Sequence, residues 1–102
     1  MPLFLIERNF AEKLQADSAG IGRTLDVNKD VGVHWLFSFL SADKRKTYCL
    51  YEAPSAEAIR EAARRLDMPA DVIIEVSELN PAAYLTPEDV LKRSGFSPTV
   101  FR

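Results

Sequence analysis

Residues 33–51 read VHWLFSFLSADKRKTYCLY, and this stretch decides the fold. Its first part, residues 33–41, alternates Val and aromatic residues with other side chains, which is typical of a β-strand. A short polar segment, residues 42–45, separates it from residues 47–51, which are again rich in β-forming residues. The pattern therefore predicts an antiparallel hairpin with a loop of about four residues.

Two more strands and a first helix are predicted on either side of this hairpin. Residues 3–10 are first apolar and then mixed, and residues 71–79 place Val72, Ile74 and Val76 on one face, so both segments suit half-buried strands. Between the first strand and the hairpin, residues 17–29 place Ile21 and Leu25 four positions apart, with Val27 nearby. That spacing predicts a helix that buries an Ile21–Leu25 stripe.

A second helix is predicted directly after the hairpin. Ser55 is a favourable N-cap, and Arg64 and Arg65 lie at the other end, where positive charge complements the helix dipole. The stripe Ile59, Ala62, Ala63 and Leu66 repeats at helical spacing, and Pro69 ends the segment. This helix should bury that stripe against the sheet.

The element order βαββαβ is typical of the ferredoxin-like α+β fold, with two helices on one face of a four-stranded antiparallel sheet. The predicted strand order is 4-1-3-2. We assign residues 1–80 to this domain. Residues 81–102 form a tail with one short helix, capped by Thr86 and closed at Gly95, which we expect to pack on its own or a partner subunit. The last residues, 96–102, are expected to be extended.

The two faces of the sheet are assigned from the alternation in residues 33–41. The wholly apolar side, with Trp35, Phe37 and Phe39, is the better partner for the helices. The uncovered face still carries several apolar residues, and so much apolar surface is rarely left in water. We therefore predict a homodimer with the two uncovered faces together, forming a barrel-like interior. The apolar residues assigned to that face are Leu3, Leu5, Leu36, Leu40 and Ile73.

Composition narrows the class of protein. The chain has 102 residues and a mass of 11.5 kDa, which suits one domain. Its 13 basic and 15 acidic residues give a pI near 5.4, which argues against a nucleic-acid partner. The longest apolar run is far shorter than a membrane span, so no membrane partner is expected. The single cysteine, Cys49, has no partner for a disulfide within the chain, and a cytoplasmic location is the default expectation.

Six polar residues are assigned to the uncovered face and could converge on a ligand. His34, Cys49 and Glu7 combine imidazole, thiolate and carboxylate donors, a set suited to nickel or another divalent transition metal. For each residue a structural role remains open: a hydrogen-bonded strand histidine, a small buried cysteine, or glutamates in ion pairs. The full candidate set is Glu7, His34, Ser38, Cys49, Tyr51 and Glu75.

Part of the chain resembles a known family. The run SADKRKTYCLYEAP at residues 41–54, together with residues 57–61 and 66–71, resembles a bacterial family of small ferredoxin-like proteins of unknown function that are often described as nickel-binding. The likeness covers residues 3–80 and implies a dimeric α+β barrel. Members often carry His where this chain has Phe37 and Ala62. Both positions are expected to point between helix and sheet. Their apolar side chains would then fill a pocket that could otherwise hold two imidazoles.

Three functional hypotheses follow from these observations. The first is a non-enzymatic homodimeric protein that binds a metal ion or small ligand between the two sheets. The second is a cofactor-free enzyme of the dimeric barrel type, monooxygenase-like or isomerase-like, in which His34 or Glu75 moves a proton, or Cys49 acts as a nucleophile with His34 as its base. The third is a purely structural dimerisation module. No motif in the sequence demands a cofactor.

Overall fold

The protein folds as a four-stranded antiparallel sheet with two long helices. The computed structural model describes residues 1–95. The strand order is β2-β3-β1-β4, which is the predicted order read from the other edge, and every neighbouring pair is antiparallel. The strands are β1 (Leu3–Asn9), β2 (His34–Leu40), β3 (Lys46–Glu52) and β4 (Val72–Val76), and the helices are α1 (Ser18–Val31), α2 (Ala56–Leu66) and α3 (Pro87–Arg93).

Helix α2 begins and packs as its sequence predicts. The Ser55 hydroxyl accepts a hydrogen bond from the Ala58 amide at 3.2 Å, which satisfies one free donor of the first turn. Ile59, Ala62 and Ala63 are buried, and the first two belong to a core cluster with Phe4 and other residues of β1 and β3. Burying a side chain such as Ile59 contributes about 2–3 kcal/mol, so this stripe fixes the helix on the sheet.

Helix α1 also forms as predicted, but it turns a different face inward. Asp17 caps its start by accepting a hydrogen bond from the Gly20 amide at 2.7 Å. Thr24 and Asn28 are buried, whereas Ile21 and Leu25 are exposed, so the predicted apolar stripe is wrong. Val27, which lies near the predicted stripe, does pack against the core together with Val31, so the helix is rotated about its axis relative to the prediction.

A bulge in β2 determines which side chains meet the helices. Trp35 pairs with Tyr51, but the register shifts before Phe37, and Ser38 then pairs with Cys49. The extra residue reverses the alternation of side chains along the strand. Trp35 therefore lies on the helix-covered side as predicted, whereas Phe37 and Phe39 lie on the other side, contrary to prediction.

Two more face assignments are corrected by the strand pairing. Leu40 pairs with the buried Thr47, and Ile73 pairs with the buried Ile6, so both belong to the helix-covered side rather than the uncovered one. Leu36 lies in the irregular part of β2 and is exposed. We call the uncovered side of the sheet the open face; its exposed apolar residues are Leu5, Phe37, Phe39, Tyr48, Val72 and Ile74.

The tail contains the predicted short helix. Thr86 Oγ1 accepts a hydrogen bond from the Asp89 amide at 3.2 Å and so caps α3. Its principal neighbour is the short 3-10 turn at Pro81–Ala83. The expected extended conformation of residues 96–102 lies outside the described residues. Within residues 1–95, none of the helices has the length and apolar character needed to cross a membrane.

Candidate functional site

The six predicted site residues do not lie together. Glu7 is on the open face, opposite Tyr48, and its carboxylate is 3.7 Å from the ammonium of Lys46. His34 lies at the start of β2, opposite Glu52. The other four residues lie on the helix-covered side. Cys49, Tyr51 and Glu75 each pair with a buried residue of β1, and Ser38 pairs with Cys49.

The predicted metal set does not fit a single ion within one chain. Cys49 is buried on the helix-covered side, whereas Glu7 is on the open face. Ser38 is the residue opposite Cys49, and His34 lies four residues before it on β2, a distance of about 13 Å at strand spacing. Residues 1–95 contain no group of three His, Cys, Asp or Glu side chains close enough to hold a metal. The same separation removes His34 as a base for the Cys49 thiol.

The two positions where the resembled family often carries His point in different directions. Ala62 is buried between α2 and the sheet, as expected. Phe37 is 51% exposed on the open face and packs edge-to-face on Phe39, with ring centroids 5.6 Å apart. The expectation that both positions point between helix and sheet is therefore wrong for Phe37, because the β2 bulge precedes it.

A cavity of about 250 Å³ lies on the helix-covered side of the sheet, beneath the start of α1. Its floor is formed by polar and aromatic side chains of all three adjacent strands. Apolar residues from the β1–α1 connection, from α1 and from the segment after α2 form most of the walls. The floor comprises Arg8, Trp35, Ser38, Thr47, Cys49 and Tyr51, and the walls include Phe10, Leu14, Ile21, Leu40 and Met68.

The connection between β1 and α1 is held over the cavity by the β2–β3 hairpin. The Phe10 amide donates to the Arg45 carbonyl, and the Leu14 amide donates to the Lys44 carbonyl, each at 2.7 Å. The Arg45 guanidinium also donates to the Ala11 carbonyl at 3.4 Å. These backbone bonds fix residues 10–17 as one wall of the cavity, although they belong to no helix or strand.

Arg8 is the charged residue of the cavity floor. Only 4% of it is exposed, because its position in β1 points to the helix-covered side together with Phe4 and Ile6. Its Nη1 donates to the Pro69 carbonyl at 2.6 Å, and its Cζ lies 5.9 Å from the centroid of the Tyr51 ring. In residues 1–95 no carboxylate lies within 4.0 Å of its nitrogens.

The other floor residues form a network of neutral polar groups. Trp35 stacks on Tyr51 with centroids 6.4 Å apart, and its indole Nε1 donates to Ser38 Oγ at 2.8 Å. Burial raises the pKa of the Tyr51 hydroxyl above its usual value, although the nearby charge of Arg8 opposes the shift. Tyr51 therefore stays protonated and can donate a hydrogen bond. Cys49 Sγ is 3.6 Å from Thr47 Oγ1.

The sequence analysis missed Arg8, Thr24 and Thr47 as site residues. The sequence did contain a clue to Arg8. It follows Phe4 and Ile6 at two-residue spacing, and residues at that spacing in a strand share one face, so Arg8 lies on the same buried face. A charged residue in the buried phase of a strand is a candidate for function.

Comparison with known proteins places the chain in a family. The family model described as nickel responsive protein SCO4226-like matches residues 4–76. The crystal structure of SCO4226 from Streptomyces coelicolor A3(2) is similar, with 29% sequence identity and a TM-score of 0.66, covering 76% of this chain and 99% of that one. No curated protein matches the sequence significantly. Since the family model covers most of the chain, this protein belongs to the SCO4226-like family of nickel responsive proteins.

Proposed function

We propose that this chain is a non-enzymatic, homodimeric protein that binds a small molecule in the cavity beneath α1. The observation that supports this proposal is the composition of the cavity, in which polar groups meet on the floor and apolar side chains form the walls. Small-molecule sites have this composition, although their volumes usually begin at roughly 300 Å³. A cavity of about 250 Å³ suits a compact ligand rather than a nucleotide.

Binding is favoured over catalysis by the chemistry of the cavity floor. The Cys49 thiol has the Thr47 hydroxyl as its polar neighbour, and a hydroxyl is not a base that activates a nucleophile at neutral pH. The raised pKa of Tyr51 keeps its hydroxyl neutral, so it is a hydrogen-bond donor rather than a proton acceptor. Within residues 1–95, the polar neighbours of the Cys49 thiol and of the Tyr51 hydroxyl are therefore suited to recognition of a ligand rather than to proton transfer.

The proposed site replaces the interior that the sequence predicted between two sheets. That prediction needed Ser38, Cys49 and Tyr51 on the open face, and they lie on the helix-covered side. Each protomer would therefore carry its own cavity, and a dimer would hold two separate ligands. Nickel is not the ligand we propose, because the donors His34 and Glu7 are remote from Cys49.

The second element of the proposal is dimerisation through the open face. Apolar side chains extend from Phe37 and Phe39 at the β2 edge to Val72 and Ile74 at the β4 edge, and these four are exposed. A contiguous apolar patch of this kind usually marks an interface. The large rings lie at one edge and the smaller aliphatic side chains at the other. A twofold axis parallel to the strands would place the aromatic edge of each copy over the aliphatic edge of its partner, which is why we propose a second copy as the occupant.

Ligand binding can be measured through the single tryptophan, Trp35, which lies in the cavity floor. The probes are benzoate, benzamide and benzylammonium, which share one ring and differ in charge. We expect at least one probe to change the Trp35 fluorescence saturably. Thr24→Met should weaken that binding by filling the cavity, whereas Leu25→Met, one residue further on the exposed side of α1, should not. Absence of saturable binding for all three probes contradicts the proposal.

A further inference from the structure

We infer that the cavity beneath α1 is a site for a small carboxylate with a compact apolar body, and that the buried guanidinium of Arg8 binds its carboxylate group. This inference rests on the proposed function and names the ligand class for the same cavity. It follows from a buried charge without a counter-ion, from the neutral donors around it and from the shape of the walls.

The charge of Arg8 is incompletely compensated by the protein. A guanidinium has five N–H donors; within residues 1–95 its Nη1 donates to the Pro69 carbonyl, and the Tyr51 hydroxyl is a second polar neighbour, so both groups that it meets are neutral. A buried charge is costly unless it is paired, yet no carboxylate of the described residues lies within 4.0 Å. The remaining donors are on a side chain that lines the cavity. An anion in the cavity would supply the missing partner.

The neighbours of Arg8 favour an anion as well. Tyr51 lies beneath the guanidinium and keeps its proton, so its hydroxyl can donate to the same ligand. Ser38 and Thr47 add two more hydroxyl groups to the floor. None of these groups carries a negative charge that would compete with a bound anion for Arg8.

Asp17 is the acidic residue among those lining the cavity, and its charge is already engaged. Its Oδ1 accepts the hydrogen bond from the Gly20 amide that caps α1. A carboxylate at this position is stabilised by the positive end of the helix dipole, which offsets its effect on the cavity. With Asp17 engaged at the start of α1, Arg8 is the remaining charged residue among those that line the cavity.

The walls define the rest of the ligand. Phe10, Leu14 and Leu40 enclose the space above the floor with hydrocarbon. An inorganic anion would leave these walls in contact with water, whereas an organic acid would bury its apolar body against them. A planar carboxylate also matches the fork of a guanidinium and can accept two parallel hydrogen bonds.

The test compares benzoate with benzamide, which have the same shape and differ in charge. In the wild-type protein we expect benzoate to bind about 10- to 100-fold more tightly, as a charge-assisted hydrogen bond allows. Arg8→Met should abolish this preference while leaving weak binding of benzamide. Arg8→Lys keeps the positive charge but loses the planar guanidinium with its two parallel donors, so it should retain part of the preference for benzoate over benzamide. Arg60→Met, at an exposed position on α2, is the matched control and should bind as the wild type does.

The outcomes separate this inference from the proposed function. Equal binding of benzoate and benzamide by the wild type, or a preference that survives in Arg8→Met, overturns the role of Arg8 but leaves the cavity as a binding site. Absence of binding for every probe overturns both. Far-UV circular dichroism monitors folding of the variants, and if Arg8→Met fails to fold, the wild-type ratio and Arg8→Lys still decide the question.

Discussion

Trp35 and Ser38 are three residues apart in the same strand, yet their side chains lie on one side of the sheet and are joined by a hydrogen bond of 2.8 Å. Residues at odd spacing in a regular strand point to opposite faces, so this contact depends on the bulge between Trp35 and Phe37. The hydrogen bond satisfies the indole N–H of a half-buried ring and links the bulge to the cavity floor.

Replacing Ser38 should therefore destabilise the bulged strand. In Ser38→Ala the indole N–H of Trp35 loses its acceptor, and we expect the free energy of unfolding to fall by about 1 kcal/mol. Urea denaturation followed by circular dichroism measures the change. Ser77→Ala, at an exposed position after β4, should leave stability unchanged. Equal stability of the two variants would show that the hydrogen bond contributes nothing.

The open face should control the oligomeric state. Phe39 is 66% exposed there, and Phe39→Glu would place a charge within the proposed interface, opposite the aliphatic edge of the partner. We expect the wild type to sediment as a dimer at micromolar concentration and Phe39→Glu to sediment as the 11.5 kDa chain. Leu25→Glu, at an exposed apolar position on α1, is the control and should remain a dimer. A monomeric wild type, or a dimeric Phe39→Glu variant, contradicts the proposed interface.

Burial of Tyr51 should make stability depend on alkaline pH. Since burial raises its pKa in the folded state, the unfolded chain releases the proton first, and the stabilisation present below pH 10 is lost as the pH rises further. Tyr51→Phe removes this dependence. Urea denaturation between about pH 8 and pH 11 should show the wild type losing stability relative to Tyr51→Phe. Tyr84→Phe, at a tyrosine that is 75% exposed, should lose stability with pH as the wild type does. If the stability of all three proteins changes in the same way with pH, the raised pKa of Tyr51 is refuted.

Nickel binding provides a separate check on the metal hypothesis. The chain has one histidine, His34, and it lies on β2 well away from Cys49. In the proposed dimer the two copies of β2 lie at opposite edges, so their His34 side chains do not meet. We therefore expect isothermal titration calorimetry to detect no micromolar nickel site. A micromolar site that disappears in His34→Ala would contradict both the expectation and the proposed orientation of the dimer.

Local patterns were sufficient for most of the fold. The caps at Ser55 and Thr86 and the stripe of α2 follow from short-range sequence, the order of the strands follows from the element order and the crossover rule, and all appear in the structure. The candidate site was predicted poorly by comparison. Its location depends on which way each strand faces, and one extra residue in β2 reverses that direction for every later residue of the strand.

By itself, the sequence determined the secondary elements, because caps, turns and periodicity act over a few residues, and the order of those elements with the crossover rule gave the ferredoxin-like strand order. Tertiary structure alone decided the faces: Phe37 and Phe39 went to the open side, and Thr24 rather than Ile21 went inward. It also decided that Arg8, from β1, would lie against Tyr51, from β3. Such placements depend on register and on packing between distant segments, and the energies that set them are absent from any local pattern.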